Sequence, residues 1–206
     1  MVDFSKSDPA VLAALAPEIA RINKIRIAHG TIIGIAVVLW FPTGVFLLRL
    51  LKVKNTVRWH QMWQALGLFL LLVGLGMGAW LNKLQGGQND EGHVILGIFI
   101  AMLFVVVMPL FGWLHHRHFL AHGNRNWTRS IHVWGGRLTL ILGIINIGTG
   151  LRLSDNTRAG WIVYGITAGL MAIAYVGVWY WKVRQAKTYA SESQPTELGN
   201  LERVNK

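Results

Sequence analysis

Along the 206-residue chain, apolar positions do not alternate with polar ones; they run together in five long stretches, 27–48, 59–81, 93–114, 131–151 and 161–181. A helix rises 1.5 Å per residue, so about 20 residues cross a hydrocarbon core roughly 30 Å thick. A helix that is apolar all round, rather than along one stripe, needs apolar surroundings on every side. The pattern therefore predicts an all-α fold: a polytopic membrane bundle of five transmembrane helices. The connections are too short to fold alone, and no repeat or low-complexity segment stands out. One membrane domain over 22–184 is expected, between an amino-terminal tail (1–21) and a polar, mobile carboxy-terminal tail (185–206) containing Ser191, Ser193, Pro195 and Gly199. The first 20 residues hold no continuous apolar h-region, so no cleavable signal is read there.

Composition sharpens this picture. The chain is 53% hydrophobic and 14% charged, against roughly 45–50% and about 25% in soluble domains. Its 23 Gly and 10 Trp suit helices packed closely in lipid with aromatics at the headgroups. Trp59, Trp63, Trp113, Trp127, Trp134, Trp179 and Trp181 fall toward one surface and Trp80 and Trp161 toward the other, as an aromatic belt. A net charge of +11 would suit nucleic acid, but the cations sit in short clusters between the spans, so no nucleic-acid partner is read. Lys52, Lys54, Arg58, Arg117, Arg125, Arg129, Lys182 and Arg184 lie on the side opposite the amino terminus. By the positive-inside rule that side is cytoplasmic and the amino terminus is outside or luminal. Arg21, Lys24 and Arg26, before the first span, run against the rule.

The chemistry rests on histidine, because the chain has 8 His and 0 Cys. Without thiolates there are no iron–sulfur clusters and no covalently attached haem. His29, His60, His93 and His132 each stand in the first few residues of a different span. Successive helices alternate in direction, so His29 and His93 share the outer level, and His60 and His132 the cytoplasmic level. The two levels are separated by roughly 20 Å. One such histidine is usually an interfacial side chain; four in one register make two pairs of facing imidazoles. Such a pair is the ligand set of a six-coordinate haem b, with no open position for dioxygen. The expected cofactors are two non-covalent bis-histidine haems b in a four-helix core.

Other residues take subsidiary roles. Gly30, Gly34, Gly92, Gly97, Gly135 and Gly136 lie near these histidines and would leave room for a macrocycle, or simply let helices pack. Gln64, one turn past His60, and Asn146, 14 residues past His132, are candidate hydrogen-bond partners for a ligand or a propionate, with interhelical bonding as the alternative. Arg137 lies deep enough to need a counter-charge, for which a haem propionate is the preferred partner. Lys52, Lys54, Arg58, Arg125 and Arg129 are candidates for an anionic reductant. His115, His116, His118 and His122 are expected in a solvated cytoplasmic loop, with the approach of one of them to the cytoplasmic-level haem, as a substitute ligand or in proton or substrate contact, as the alternative.

The segments RIAHGTIIGIAVV, WHQMWQALG, GHVILGIFI, WLHHRHF and SIHVWGGRLTLILGIINIGTGL resemble the cytochrome b561 fold, and most of all the fungal type that follows a haem-binding DOMON domain; the resemblance covers about 22–182. It implies that His29 and His93 hold one haem b and His60 and His132 the other. It also implies electron flow from cytosolic ascorbate or another reductant to an external acceptor: monodehydroascorbate, ferric iron or a DOMON-type redox domain. The chain departs from longer family members in having its additional span after the four-helix core, and in carrying no DOMON sequence; a fragment or a stand-alone membrane domain both fit. The reading is a transmembrane oxidoreductase of the ascorbate-dependent or ferric-reductase type if it acts without a partner. A homodimer is allowed for. The alternatives are a di-haem cytochrome b subunit exchanging electrons with quinol for a partner enzyme, and a non-redox transporter or anchor. The latter is ranked low because few polar groups besides Thr43 stand at midspan.

Overall fold

A computed structural model describes residues 9–51, 53–87 and 91–204, and every secondary-structure element in it is helical. Five helices are long and apolar enough to cross a membrane. They are α1 (Pro9–Leu50), α2 (Thr56–Leu84), α3 (Gly92–His122), α4 (Trp127–Leu153) and α5 (Arg158–Val204). Each runs beyond the apolar stretch that predicted it. Helix α5 continues through the stretch expected as a polar tail, while residues 1–8, in the amino-terminal tail, fall outside the described residues.

Helices α1 and α3 are not uniform. Each contains a wider π stretch, Ile35–Trp40 in α1 and Leu103–Val107 in α3, just before Pro42 and Pro109. Proline lacks an N–H and its ring crowds the carbonyl four residues back, so the preceding turn opens to admit one more residue while the helix carries on. At the end of the α1 π stretch, α2 adds side-chain donors to the backbone: Trp63 Nε1 donates to Trp40 O at 2.9 Å and Gln64 Nε2 to Phe41 O at 3.3 Å.

Helix α1 packs along α2, and α3 along α4, and the two hairpins meet in a shared core. At its centre Phe41 of α1 stacks on Phe104 of α3, with centroids 4.4 Å apart, beside Ala36, Val37, Leu71 and Ile100. Gly67, Gly74 and Gly143 let the backbones approach: a methyl group on any of them would lie within 2.9 Å of Trp40, Ile33 or Val37 respectively. Helix α5 lies outside this four-helix core, against α1 and α4, where Tyr164 Oη donates to Ile144 O at 2.5 Å.

One aromatic and two basic residues have roles the linear pattern hides. Trp63, expected in the interfacial belt, is stacked on Trp40 at 4.1 Å, and each indole N–H donates to the other's backbone carbonyl. Arg26 Nη1 donates to Ser154 O at the carboxy-terminal end of α4, at 3.1 Å, and Arg21 pairs with Glu18 and lies over Trp80. These contacts give local reasons for two cations that oppose the positive-inside trend. Trp63→Phe should lower stability by about 1 kcal/mol, because Thr43 Oγ1 still bonds Trp40 O. A midpoint drop of roughly 2–4 °C in thermal unfolding would register it.

Candidate functional site

The four span histidines fall into the same local arrangement. His29 Nδ1 (α1) donates to Gly74 O on α2 at 2.8 Å, and His60 Nδ1 (α2) donates back to Gly44 O on α1 at 2.8 Å. His93 Nδ1 (α3) donates to Asn146 O on α4 at 3.0 Å, and His132 Nδ1 (α4) donates back to Met108 O on α3 at 3.0 Å. A ring nitrogen facing a carbonyl must carry the proton, so Nε2 of each ring holds the lone pair. Among the described residues none of the four Nε2 atoms has a hydrogen-bond partner.

Each hairpin therefore latches itself twice, once near each membrane surface, and the spacings match. On α2 the acceptor Gly74 follows His60 by 14 residues, and on α4 the acceptor Asn146 follows His132 by 14. On α1 and α3 the intervals His29 to Gly44 and His93 to Met108 are 15. Fourteen residues make almost four α-turns. The fifteenth is taken up by the π stretch that α1 and α3 each carry between the two positions. The sequence showed no repeat, yet the two hairpins are built to one plan.

Glycines complete the arrangement. A Cβ on Gly78 would lie 2.8 Å from His29 Cε1, one on Gly150 2.7 Å from His93 Cε1, and one on Gly112 2.9 Å from His132 Cε1. Each of these glycines stands four residues after the carbonyl that accepts from the same ring, so the Cε1/Nδ1 edge of the imidazole abuts a bare turn of helix. The fourth equivalent position is Leu48. The glycines adjacent in sequence behave differently: Gly30, Gly34 and Gly92 have nothing within 4 Å of a Cβ, and Gly97, Gly135 and Gly136 face Asn146 or Met108.

Across the hairpins, His29 and His93 are brought together, with ring centroids 6.2 Å apart and planes at 85°. Two imidazoles binding one metal from opposite sides, with bonds of about 2.0 Å and roughly 1.1 Å from nitrogen to ring centre, have centres about 6 Å apart. The distance fits. His60 of α2 and His132 of α4 stand at the opposite level of the bundle. Among the described residues no three His, Asp or Glu side chains gather to hold a bare ion. Paired imidazoles suit a macrocycle that brings the remaining four donors itself.

The other expected residues spread out. Asn146 is buried; its carbonyl takes the His93 proton, and Thr149 Oγ1 lies 2.8 Å from that carbonyl, 3.0 Å from Asn146 Oδ1 and 3.3 Å from His93 Nδ1. Gln64 reaches α1 rather than a histidine, and its Oε1 is buried without a protein partner. Arg137 is five residues from His132, or about 140° around the helix, and so turns toward α5: its Nε donates to Tyr175 Oη at 3.1 Å, with the guanidinium 4.3 Å over Trp134. Lys54, Arg58, Arg125 and Arg129 are at the His60/His132 end of the bundle; Lys52 lies outside the described residues. The loop expected around His115–His122 is helix. Helix α3 continues through Pro109 and Gly112 and stops at Gly123, whose left-handed conformation (φ 68°) closes the last turn. There His118 stacks on His122 at 4.4 Å and bonds Asn124, while His115 Nδ1 is buried without a partner.

Over 189 residues, 89% of this chain, the sequence is 26% identical to a cytochrome b561 and DOMON domain-containing protein of Arabidopsis thaliana. The chain spans 45% of that relative's length. No family model matches the chain, and no solved structure matches it significantly. Together with five spans and histidines on four of them, the match supports a cytochrome b561 family relationship for this chain.

Proposed function

We propose that the chain is a transmembrane electron carrier holding two haems b, one on His29 and His93 and the other on His60 and His132. The family relationship supports a transmembrane redox function of the b561 type and implies haem b. The finer reading is carried by one observation: each of the four imidazoles gives its Nδ1 proton to a carbonyl of the neighbouring helix, which fixes the tautomer and directs Nε2 away from that helix. Haem b, when bound, supplies a one-electron ferric/ferrous couple at each level.

The protein's part is to hold, orient and exclude. Two imidazoles would hold each haem, and a haem held so would leave dioxygen no place to bind. Donation from Nδ1 raises the basicity of Nε2 and locks the ring plane. The Phe41–Phe104 stack and its aliphatic neighbours keep water from the space between the levels. Charge distribution sets the direction: the amino terminus lies outside or luminal and the His60/His132 end faces the cytosol. A cytosolic reductant, ascorbate by the family resemblance, is the electron source, and an external acceptor, ferric iron, monodehydroascorbate or a DOMON-type haem domain, is the sink. The relative's name includes DOMON, which makes such a domain the preferred partner.

Lys54, Arg58, Arg125 and Arg129 supply positive charge where an anionic reductant would approach. Neutralising Lys54, Arg58 and Arg125 together should raise KM for ascorbate about three- to tenfold, more at low salt than at high, with haem content unchanged. Stopped-flow reduction at two ionic strengths checks it. The function itself is tested by the dithionite-reduced spectrum of the purified chain with haem stoichiometry. Two haems b per chain are expected, and a chain without b-type bands overturns the reading.

A further inference from the structure

Two arginines on different helices converge on one phenol at the His60/His132 end. Tyr175 of α5 accepts a hydrogen bond from Arg137 of α4, and the Arg49 guanidinium of α1 lies 5.8 Å from its ring centroid. Both arginines are half-buried. Having accepted from Arg137, Tyr175 keeps its own O–H free to donate. Among the residues whose side chains are described, no carboxylate is at hand. The acidic residues whose side chains are described, Glu18, Glu91 and Asp155, belong to the opposite end of the bundle, and Glu18 is paired with Arg21. Two guanidiniums and a hydroxyl proton at the edge of a hydrocarbon layer, with no counter-charge among the described side chains, make a site for an anion.

Beside it runs a groove of about 320 Å³ between α1 and α5, lined by Leu39, Phe46, Thr167, Leu170, Met171 and Ala174. Its one hydroxyl, on Thr167, is spent on Val163 O of its own helix at 2.7 Å, so the walls present hydrocarbon. The groove adjoins the cationic end directly, since Phe46 and Tyr175 have ring centroids 6.2 Å apart. An apolar slot leading to two arginines matches a molecule with an acyl chain and an anionic head.

We propose that this is a specific site for an anionic phospholipid, with one acyl chain in the α1/α5 groove and the headgroup phosphate held by Arg49, Arg137 and Tyr175. Free phosphate offers the same oxygens but has no use for the groove; the lipid uses both features. The site pins α5, the one span outside the four-helix core, to α1 and α4.

The test uses the full chain in detergent, with phosphatidylglycerol and phosphatidylcholine of identical acyl chains, read by native mass spectrometry. Phosphatidylglycerol should be retained about tenfold more strongly than phosphatidylcholine. The double variant Arg49→Gln/Arg137→Gln should abolish that preference, and Tyr175→Phe, which keeps the ring, should reduce it about threefold. Ala174→Phe, which fills the groove, should weaken both lipids. Millimolar inorganic phosphate should not displace the bound lipid. Equal retention of the two lipids, a preference that survives the double variant, retention untouched by Ala174→Phe, or displacement by inorganic phosphate would each overturn the proposal. So would loss of haem from the double variant with its lipid preference intact, because the anion would then be a propionate.

Discussion

Alanine at either His29 or His93 is expected to halve the haem content, from two per chain to one, and the double variant to lose no more than either single. His60 and His132 should behave as a second such pair, with the other haem lost. The argument is one of ligand count. An iron held by one imidazole loses a bond and the locked orientation the second ring provides, and the cavity left by the missing ring sits in the helix interface, where it costs about 2–4 kcal/mol more. Cross-pair doubles, such as His29→Ala with His60→Ala, should carry no haem. Each histidine also latches its own hairpin: losing His29 frees Gly74 O, and losing His60 frees Gly44 O. The surviving haem should therefore bind less tightly than in the parent, by up to roughly tenfold. Pyridine haemochrome stoichiometry with low-temperature spectra reads both effects. If His29→Ala and His93→Ala remove different haems, the pairing across the hairpins is wrong.

How much of this stood in the linear sequence depends on what carries each feature. The five spans were plain because continuous apolar runs need no partner to be recognised. Their ends were not: α3 passes Pro109 and runs to His122 because the π stretch absorbs the proline, Gly112 stays helical, and the backbone first turns left-handed at Gly123. On α2, His60, Trp63, Gln64, Gly67, Leu71, Gly74 and Gly78 form a single helical stripe, and that spacing was enough to call Trp63 interior rather than interfacial. The orientation of Arg137 was equally computable, since five residues carry it away from the face of His132. The acceptors of the four imidazole protons were out of reach. They are backbone carbonyls, which leave no residue type behind, and they lie on other helices. Only the glycine four positions beyond each acceptor leaves a trace, and it is a trace that many packing glycines share.

That trace yields the second large effect. Gly78→Ala and Gly150→Ala should each cost the chain the His29/His93 haem, and Gly112→Ala the His60/His132 haem, although none of the three glycines neighbours a histidine in sequence. The new methyl would stand 2.7–2.9 Å from a ring carbon and 3.0–3.1 Å from Nδ1. It cannot be accommodated by rotating a flexible end, because the ring is held by its Nδ1 bond to the carbonyl one turn away. Relief requires the imidazole to leave the helix surface, which breaks that bond and moves Nε2 off the iron. An overpacking cost of about 1–3 kcal/mol, placed on the ligand rather than spread through the core, weakens haem binding at that site by roughly 5- to 150-fold. Alanine is otherwise the better helix former, by about 1 kcal/mol. Gly76→Ala and Gly148→Ala, two residues away with nothing within 4 Å of the added methyl, should therefore keep both haems and be no less stable. Equal losses at all five positions would mean that the glycines serve general helix packing. Loss confined to Gly78, Gly112 and Gly150, each at its own haem, requires the imidazoles to lie where the structure has them, because only contact through space links Gly150 to His93, 57 residues earlier.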